Sequence, residues 1–512
     1  MKPFRLLAAL VFLSPLGLPL ETVSAALRLP AVIGDNMVLQ QQRENPIWGW
    51  AEAGQSISVT LGDQRVETTA DSHGFWIVSL PKMGASAEPR QIAIQAGDES
   101  VALSNVKVGE VWLCSGQSNM QWAVQQSAGA EEAIRSADRP DIHLFQIPLV
   151  SRRDRQDDVE ARWTACTPET VPGFSAVAYY FAERLQPELQ VPIGLIQSAW
   201  GGSRIEPWIP LEAFTWFAEL QEVNRAARDA TPSTSEYRFV REEFLKNVRD
   251  WTEKAEAAFE QNETLPPLPA PPPELRENNQ DPTVLYNAMI HPVVPYGLRG
   301  AIWYQGESNV GEGMLYYHKK KSLIHGWRKV FQNPELSFHF VQLAPFRYGN
   351  PDHVLPVFWE AQTACLRIPY TGMAVINDIS TIGDIHPPNK KDVGIRLALN
   401  ALAKDYGKED LVFSGPLYDR HSAEGGTIRI HFLHAPNGLV ARDGNPLTHF
   451  EIAGSDGNWK PARAQIDGGA VLVSSAEIPE PVQVRFAWSQ TAEPNLSNAE
   501  GLPAPAFRTH PD

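Results

Sequence analysis

Short apolar runs recur through the middle of the chain, and segments with helical spacing of their apolar residues separate them. The alternation extends from about residue 108 to about residue 410. Apolar strands that alternate with helices are typical of a parallel sheet with helices on both faces, so the pattern predicts an α/β core. The predicted strands are Val111–Cys114, Ile142–Ile147, Ile193–Gln197, Gly300–Tyr304, Ser337–Leu343 and Met373–Ile379.

Helical spacing predicts Gln121–Arg135, Phe174–Leu189, Leu315–Phe331 and Asp392–Tyr406 as helices of this core. Residues 205–285 interrupt the alternation with two charged helices, Leu211–Arg228 and Tyr237–Gln261, and a proline-rich connector, 266–273. Such an insertion either caps a site or is a solvated surface excursion, and the sequence leaves both open.

Both flanks of the core have the pattern of β structure. Residues 26–107 contain short alternating runs, such as Ser56–Thr60 and Ile92–Gln95, with Gly, Asn and Asp turns between them. We expect a β-sandwich-like module there. Residues 411–512 are also rich in predicted strands, such as Thr427–Phe432 and Ala470–Val473.

The first 25 residues differ in character from the rest. Lys2 and Arg5 precede an apolar segment that Pro15 and Pro19 interrupt, and small residues end it at Ala25. This pattern predicts a signal peptide and export to the periplasm or the medium. The segment is too short and too broken for a comfortable membrane span, so we expect no membrane insertion.

Composition narrows the classes of partner. The chain has 512 residues and a formal net charge of −16, which argues against a nucleic-acid partner because such proteins need a basic face. It has only three cysteines, so they cannot all pair within one chain. Cys114 lies inside a predicted strand, and we expect a buried thiol there. The sequence does not determine the oligomeric state.

The turn after the first core strand, Gly116-Gln-Ser-Asn-Met120, is the first candidate for chemistry. A serine on a strand-to-helix turn presents its hydroxyl above the sheet, and the free N–H groups of the helix start face developing negative charge. The alternative is a polar loop with a capping serine, because Ser and Asn are preferred caps.

Asp384-Ile-His-Pro387 follows the last predicted strand. Two positions apart in an extended segment, the Asp384 and His386 side chains point the same way. A carboxylate can then orient an imidazole that takes a proton from a serine hydroxyl. Alone, the pair is a weak signal for catalysis, because a turn or two metal ligands can have the same residues.

Two further motifs also follow strands. Gly201 and Gly202 let backbone N–H groups approach a ligand closely, or simply form a tight turn. In Trp303-Tyr-Gln-Gly-Glu-Ser-Asn309 the amides of Gln305 and Asn309 can donate to an oxyanion, or the segment caps a helix. Carboxyl ends of parallel strands share one edge, which predicts that all four motifs meet.

The four motifs in this order resemble the SGNH-hydrolase superfamily, most closely its sialate O-acetylesterase branch, which also contains acetylxylan esterases. The resemblance covers nearly the whole chain after residue 25. It implies a three-layer, flavodoxin-like parallel sheet. It also implies that Ser118 is the nucleophile, His386 the general base and Asp384 its orienting carboxylate.

The resemblance also implies an oxyanion hole. Its donors would be the Ser118 N–H, an N–H of Gly201 or Gly202, and a side-chain amide, for which Gln305 is preferred over Asn309. The candidate substrate-binding residues are Gln117, Asn119, Arg204 and Glu307. No metal-ligand spacing occurs in these motifs, and no glycine-rich phosphate loop precedes a lysine, so we predict no metal and no cofactor.

These expectations combine into an exported serine esterase that removes O-acetyl groups from a sugar, with sialic acid as the first candidate. Acetylated xylan or another polysaccharide is the alternative substrate. A carbohydrate-binding protein without catalysis is the alternative from another class. The sequence does not specify the sugar or the acetyl position.

Overall fold

The computed structural model describes residues 26–274, 277–349 and 351–510, and the predicted signal peptide lies outside this part of the chain. Within it the chain forms a mixed α/β structure with a mostly parallel central sheet and separate antiparallel sheets. This confirms the predicted class at that level. No helix in the described ranges is long and apolar enough to cross a membrane.

The N-terminal region is built from short strands whose alternate residues are buried. β3 pairs antiparallel with both β4 and β6, and β2 pairs with β5. The alternation of apolar and polar residues that predicted β structure is present in β3, because Ile57, Val59 and Leu61 all point into the core. The strands are β1 (Val38–Gln40), β2 (Asn45–Trp50), β3 (Ser56–Leu61), β4 (Gln64–Thr69), β5 (Phe75–Leu80) and β6 (Ser86–Ala96).

One long strand, β7 (Glu99–Gly116), joins this region to the core. Its first half pairs with β6, and its second half lies between two core strands. The predicted domain boundary at residue 107 therefore falls inside a continuous strand. The other core strands are β8 (Arg139–Gln146), β9 (Trp163–Cys166), β10 (Ile193–Ala199), β11 (Gly300–Tyr304), β12 (Ser337–Val341) and β13 (Thr371–Ala374).

The core strands lie in the order β13-β12-β11-β7-β10-β8-β9. All pairings are parallel except that of β9, the antiparallel edge strand. β7 is therefore flanked by β10 and β11, which places Ser118, Gly201 and Gln305 after three adjacent strands. Asp384 follows β13, three places from β7. The sheet order brings the motif-bearing strand ends to one edge, as their positions predicted.

Helices cover both faces of this sheet. Neighbouring residues of a strand point to opposite faces. In β12, Phe338 contacts Trp327 of α6, whereas His339 contacts Trp112, which in turn contacts Phe181 of α3. The helices are α1 (Ser118–Gln121), α2 (Ala130–Arg135), α3 (Ala176–Leu189), α4 (Gln221–Ala230), α5 (Ser235–Glu260), α6 (Met314–Val330), α7 (Val354–Ala364) and α8 (Lys390–Asp405).

The predicted helix Gln121–Arg135 is wrong as a single element. The chain leaves the helix at Trp122, whose ψ is 117°, and forms a short 3₁₀ turn before α2 begins. The cause is tertiary. Trp122 O accepts the N–H of Ala176, and Val124 N donates to Phe174 O, so this segment pairs with the start of α3 rather than with itself.

The excursion after β10 contains 3₁₀ turns, α4 and the long helix α5. In α5 only Ala255 is buried, so the helix lies on the surface. The proline-rich connector returns along it, with Trp251 Nε1 donating to Pro266 O at 2.9 Å and Arg241 donating to Pro273 O at 3.1 Å. Among the predicted alternatives, α5 therefore matches a solvated surface helix.

The C-terminal region consists of antiparallel strands that contact the core. β14, β15, β20 and β19 form one sheet, and β18, β17, β21 and β23 form another. Arg508 pairs with Glu360 of α7, which ties the region to the α/β core. The strands are β14 (Leu417–Glu424), β15 (Thr427–Leu433), β16 (Leu439–Ala441), β17 (Phe450–Ala453), β18 (Lys460–Pro461), β19 (Arg463–Asp467), β20 (Ala470–Ser474), β21 (Gln483–Phe486), β22 (Leu496–Asn498) and β23 (Phe507–Arg508).

Candidate active site

The serine turn is held by its neighbours in the sheet. Gly116 ends β7 with φ +145°, and a Cβ there would lie 2.1 Å from Tyr304 O. Gln117 N donates to the same carbonyl at 3.0 Å, and Trp200 N donates to Gly116 O at 3.1 Å. The turn is thus fixed from both flanking strands, and Ser118 is the first residue of α1.

Ser118 and His386 meet across this edge although 268 positions separate them. The Ser118 hydroxyl donates to His386 Nε2 with an Oγ–Nε2 distance of 2.8 Å. This is the geometry in which an imidazole can take the hydroxyl proton. The structure therefore brings together two of the residues that the motifs singled out.

Asp384 is close to His386 but bonds to a different atom. Its Oδ1 accepts the backbone N–H of His386 at 2.8 Å, whereas it lies 3.9 Å from the ring Nδ1, beyond hydrogen-bond distance. The Asp384 side chain is 51% exposed, so solvent screens its charge. In this geometry the carboxylate shapes the loop that carries His386.

The His386 ring is held by an aromatic neighbour. It stacks on Trp122 with a centroid distance of 5.1 Å and an interplanar angle of 19°. Burial lowers the pKa of His386, and the nearby charge of Lys390 lowers it further, whereas Asp384 raises it. The neutral imidazole, which can accept a proton, is favoured at neutral pH.

The glycine turn lies directly against the serine. A Cβ on Gly201 would lie 3.2 Å from Gln121 Oε1 and 3.4 Å from the Ser118 Cβ, the latter an ordinary contact distance. The Gly201 N–H donates to Gln121 Oε1 at 2.7 Å. Gly202 has φ +73° and open space around it. Of these two N–H groups, only that of Gly202 donates to no acceptor within the described ranges.

The side-chain amides of Gln305 and Asn309, the two candidates for the oxyanion hole, donate their hydrogen bonds within the protein. Gln305 and Asn309 are fully buried. The Gln305 amide donates to Ser203 O at 3.2 Å and to Asn309 Oδ1 at 2.7 Å, and its oxygen accepts the Tyr316 hydroxyl. The Asn309 amide donates to Glu206 and Glu312. In this arrangement neither amide has a proton left for an oxyanion, because buried amides use their donors within the protein.

Asn119 differs from its expected role in substrate binding. It is 1% exposed and connects three segments of the site. Its Nδ2 donates to Glu307 Oε1 at 2.5 Å and to Ile385 O at 3.0 Å, and its Oδ1 accepts from Lys390 Nζ at 2.5 Å. Asn119, the residue after Ser118, therefore anchors the loop that carries His386.

Glu307 and Lys390 lie behind the reacting groups with Asn119. Burial raises the pKa of Glu307 and lowers that of Lys390 to about 7. Glu307 Oε2 has no partner in the described part of the chain, and Lys390 is fully buried. Lys390 was missed from the sequence. Its position four residues after His386, just before a predicted helix, was the available signal.

The remaining two predicted substrate contacts also bond within the protein. Gln117 is 3% exposed, and its Oε1 accepts the Gly306 N–H at 3.3 Å. Arg204 pairs with Glu206 and Glu312 and donates to Ser308 O at 3.0 Å. The Arg204 charge is already neutralised, which disfavours it as the partner of a substrate anion. No group of three or more His, Cys, Asp or Glu in the described ranges has a metal-binding arrangement.

The comparisons with known proteins agree on one family. A family model described as carbohydrate esterase, sialic acid-specific acetylesterase, matches residues 108–234 and 274–402. The unmatched stretch between them contains α5 and the proline-rich connector. The match therefore covers the α/β core together with all four motifs.

Individual relatives extend the similarity to the flanks. The sialate O-acetylesterase of Rattus norvegicus is 30% identical, covering 96% of this chain and 97% of the relative. That of Homo sapiens is 29% identical, covering 94% and 92%. The crystal structure of a carbohydrate acetylesterase from Xanthomonas citri is 33% identical with a TM-score of 0.80, covering 95% of this chain and 100% of that one. The chain belongs to the sialic acid-specific acetylesterase family of carbohydrate esterases, and the protein is an esterase.

Proposed function

We propose that the protein is an exported SGNH-type hydrolase that removes O-acetyl groups from sialic acids through an acetyl-enzyme on Ser118. The observation that carries the mechanism is the 2.8 Å contact between Ser118 Oγ and His386 Nε2 at the carboxyl end of β7. The names of the mammalian relatives support the substrate. The sequence pattern of residues 1–25 supports export.

Acylation begins when Ser118 Oγ attacks the acetyl carbonyl carbon and His386 Nε2 takes the hydroxyl proton. Collapse of the tetrahedral intermediate breaks the bond to the sugar oxygen, and His386 returns the proton to that oxygen. A water then loses a proton to His386 as it attacks the acetyl-enzyme. Collapse of the second tetrahedral intermediate breaks the bond between the acetyl carbon and Ser118 Oγ, and His386 returns the proton to Oγ. Acetic acid leaves and ionises to acetate.

The oxyanion that forms in both steps lies beside the start of α1. The Ser118 N–H has no partner within this helix because it belongs to the first turn, so it can donate to developing negative charge. The glycine turn supplies the second donor. Because the Gln305 and Asn309 amides donate within the protein, we assign the oxyanion hole to backbone N–H groups.

Asp384 stabilises the imidazolium that forms on His386 by charge proximity. At 3.9 Å it attracts the protonated ring without a direct bond. Its bond to the His386 backbone N–H holds the ring-bearing segment in place. Movement of the Asp384 carboxylate to hydrogen-bond distance of His386 Nδ1, when the ring becomes charged, would complete the triad of Ser118, His386 and Asp384.

A second substrate class is supported by a specific observation. A sialic acid carries a carboxylate, yet Arg204 is already paired with two glutamates. The Xanthomonas citri relative is described only as a carbohydrate acetylesterase. A neutral acetylated polysaccharide such as acetylxylan is therefore the alternative.

The nucleophile is tested by Ser118→Ala with p-nitrophenyl acetate as substrate. We expect kcat to fall by roughly 10⁴-fold or more, because the acetyl-enzyme cannot form. Ser72→Ala, in an exposed turn of the N-terminal region, is the matched control and should retain wild-type activity. Comparable activity in Ser118→Ala and the wild type would refute the mechanism.

The substrate is tested by acetate release from acetylated sialosides and from acetylxylan under the same conditions. A higher kcat/KM on sialosides supports the proposal. A preference for acetylxylan rejects the sialate assignment and leaves the serine mechanism intact.

A further inference from the structure

The carbonyl groups of the glycine turn are held by a segment that arrives from the other end of the excursion. Gly201 O accepts from Asn279 Nδ2 at 2.8 Å. Gly202 O accepts from Gln280 Nε2 at 2.9 Å and from Ser308 Oγ at 2.8 Å. Two consecutive side-chain amides thus bind two consecutive carbonyls.

Asn279 and Gln280 are themselves fixed in a local turn. The N–H of Gln280 donates to Asn278 Oδ1 at 2.8 Å. A few residues later, Thr283 N donates to Glu206 O at 3.1 Å, next to the glycine turn in the chain. The two amides therefore lie between a local turn and a backbone bond to Glu206, which limits the directions in which they can point.

Binding a carbonyl also fixes the N–H of the following residue. In a trans peptide the C=O and the N–H point in opposite directions. Asn279, by holding Gly201 O, therefore fixes the direction of the Gly202 N–H, which is the glycine N–H without an acceptor in the described ranges. Gly202 adopts φ +73°, where backbone rotation would otherwise be easy.

We infer that Asn279 and Gln280 are positioning residues of the oxyanion hole. Asn279 holds the Gly201–Gly202 peptide so that the Gly202 N–H meets the oxyanion formed on Ser118. Gln280 acts through Asn279, because its Nε2 also donates to Asn279 Oδ1 at 3.0 Å and so orients the Asn279 amide. The inference rests on the proposed serine mechanism. It gives the returning end of the excursion a role in catalysis, whereas α5 itself stays on the surface.

The test uses Asn279→Leu, Gln280→Met and the double variant in the full-length protein. Each change keeps a similar side-chain volume and removes the donor. We expect kcat of the double variant to fall roughly 10- to 100-fold with KM nearly unchanged, because the bonds orient a group that acts in the transition state. Gln261→Met, after α5 on the exposed side of the same excursion, is the matched control and should retain wild-type kcat.

The outcomes separate the two proposals. A wild-type enzyme without Ser118-dependent hydrolysis would reject the proposed function itself. With that activity present, an unchanged kcat in the folded double variant would overturn the positioning role. A raised KM at constant kcat would also overturn it, because it would place the two amides in substrate binding. Gln280 is exposed, so Gln280→Met tests the role even where Asn279→Leu lowers the yield of folded protein.

Discussion

At the scale of single residues, the candidate site combines a partly accessible pair, Ser118 and His386, with a buried layer behind it. Ser118 and His386 are partly accessible, as a substrate requires. Asn119 and Lys390 are buried directly beneath them. A buried ammonium near the general base lowers the pKa of that base, because two like charges repel. Lys390 therefore influences the pH at which His386 can accept a proton.

Lys390→Met tests this influence. His386 must be neutral to act, so kcat/KM declines as pH falls through the His386 pKa. Lys390 lowers that pKa, and its own pKa of about 7 keeps it charged in that acidic range. Removing the charge should move the acidic limb of the pH profile to higher pH. Glu307 and Asp384, whose charges raise the pKa of Lys390, remain in the variant.

The matched control for this experiment is Lys391→Met. Lys391 is the exposed neighbour in the same helix, and its removal should leave the acidic limb in place. An acidic limb that stays at the wild-type pH in Lys390→Met would show that the Lys390 charge does not act on His386. The midpoint of the limb is the informative quantity, since it does not depend on the amount of active enzyme.

At the scale of elements, the strand-to-helix turn carries the geometry of attack. β7 ends at Gly116, and the Tyr304 carbonyl of β11 lies so close that only hydrogen fits. The sequence predicted a long helix after this turn, whereas the chain forms three short ones because it pairs with the start of α3. A short α1 leaves Trp122 free to stack on His386.

Gly116→Ala should therefore damage both stability and activity. The new Cβ would overlap the Tyr304 carbonyl at 2.1 Å, in backbone of φ +145° that L-residues avoid. We expect a loss of about 3 kcal/mol or more in the free energy of unfolding, and a lower kcat in the folded fraction. Urea unfolding and p-nitrophenyl acetate hydrolysis measure the two effects.

Gly129→Ala separates the cost of a steric overlap from the cost of a left-handed backbone conformation. Gly129 also has positive φ, +74°, but its Cβ would meet no atom within 4 Å. We expect this variant to lose only about 1–2 kcal/mol, the cost of a left-handed residue. Equal losses in the two variants would contradict the claim that the Tyr304 carbonyl is the decisive contact.

At the scale of the whole molecule, one buried carboxylate connects the N-terminal region to the core. Glu110 of β7 is fully buried and pairs with Arg299 at 2.8 Å. It also accepts hydrogen bonds from Gln40, Gln41 and the Tyr406 hydroxyl. Segments from the N-terminal region, from the start of β11 and from the end of α8 thus meet at a single charge.

Glu110→Ala should destabilise the protein by about 3–5 kcal/mol, because it leaves the half-buried guanidinium of Arg299 and three donors without their acceptor. Urea unfolding measures the change. Glu88→Ala, on the exposed face of β6, is the control and should change the free energy of unfolding by less than about 0.5 kcal/mol. A similar small change in Glu110→Ala would mean that the contact does not stabilise the fold.

The residue pattern alone determined most of the core elements and the two members of the proposed reaction pair. Strands such as Gly300–Tyr304 and helices such as Leu315–Phe331 follow from local periodicity, which depends only on neighbouring residues. The order of the four motifs, through its resemblance to a known hydrolase family, singled out Ser118 and His386. The rule that parallel strands deliver their carboxyl ends to one edge predicted that the two meet.

Tertiary structure decided which hydrogen-bond partners each polar side chain has. Gln305 and Asn119 have residue types suited to contact with a substrate, yet both are buried and bond to segments far away in the chain. Contacts with distant segments also decided three further features. These are the helix break at Trp122, the burial of Lys390 and the hydrogen bond from Asn279 to Gly201 O. A motif specifies which groups are present, whereas burial and the partners available in space determine which of them remain free to react.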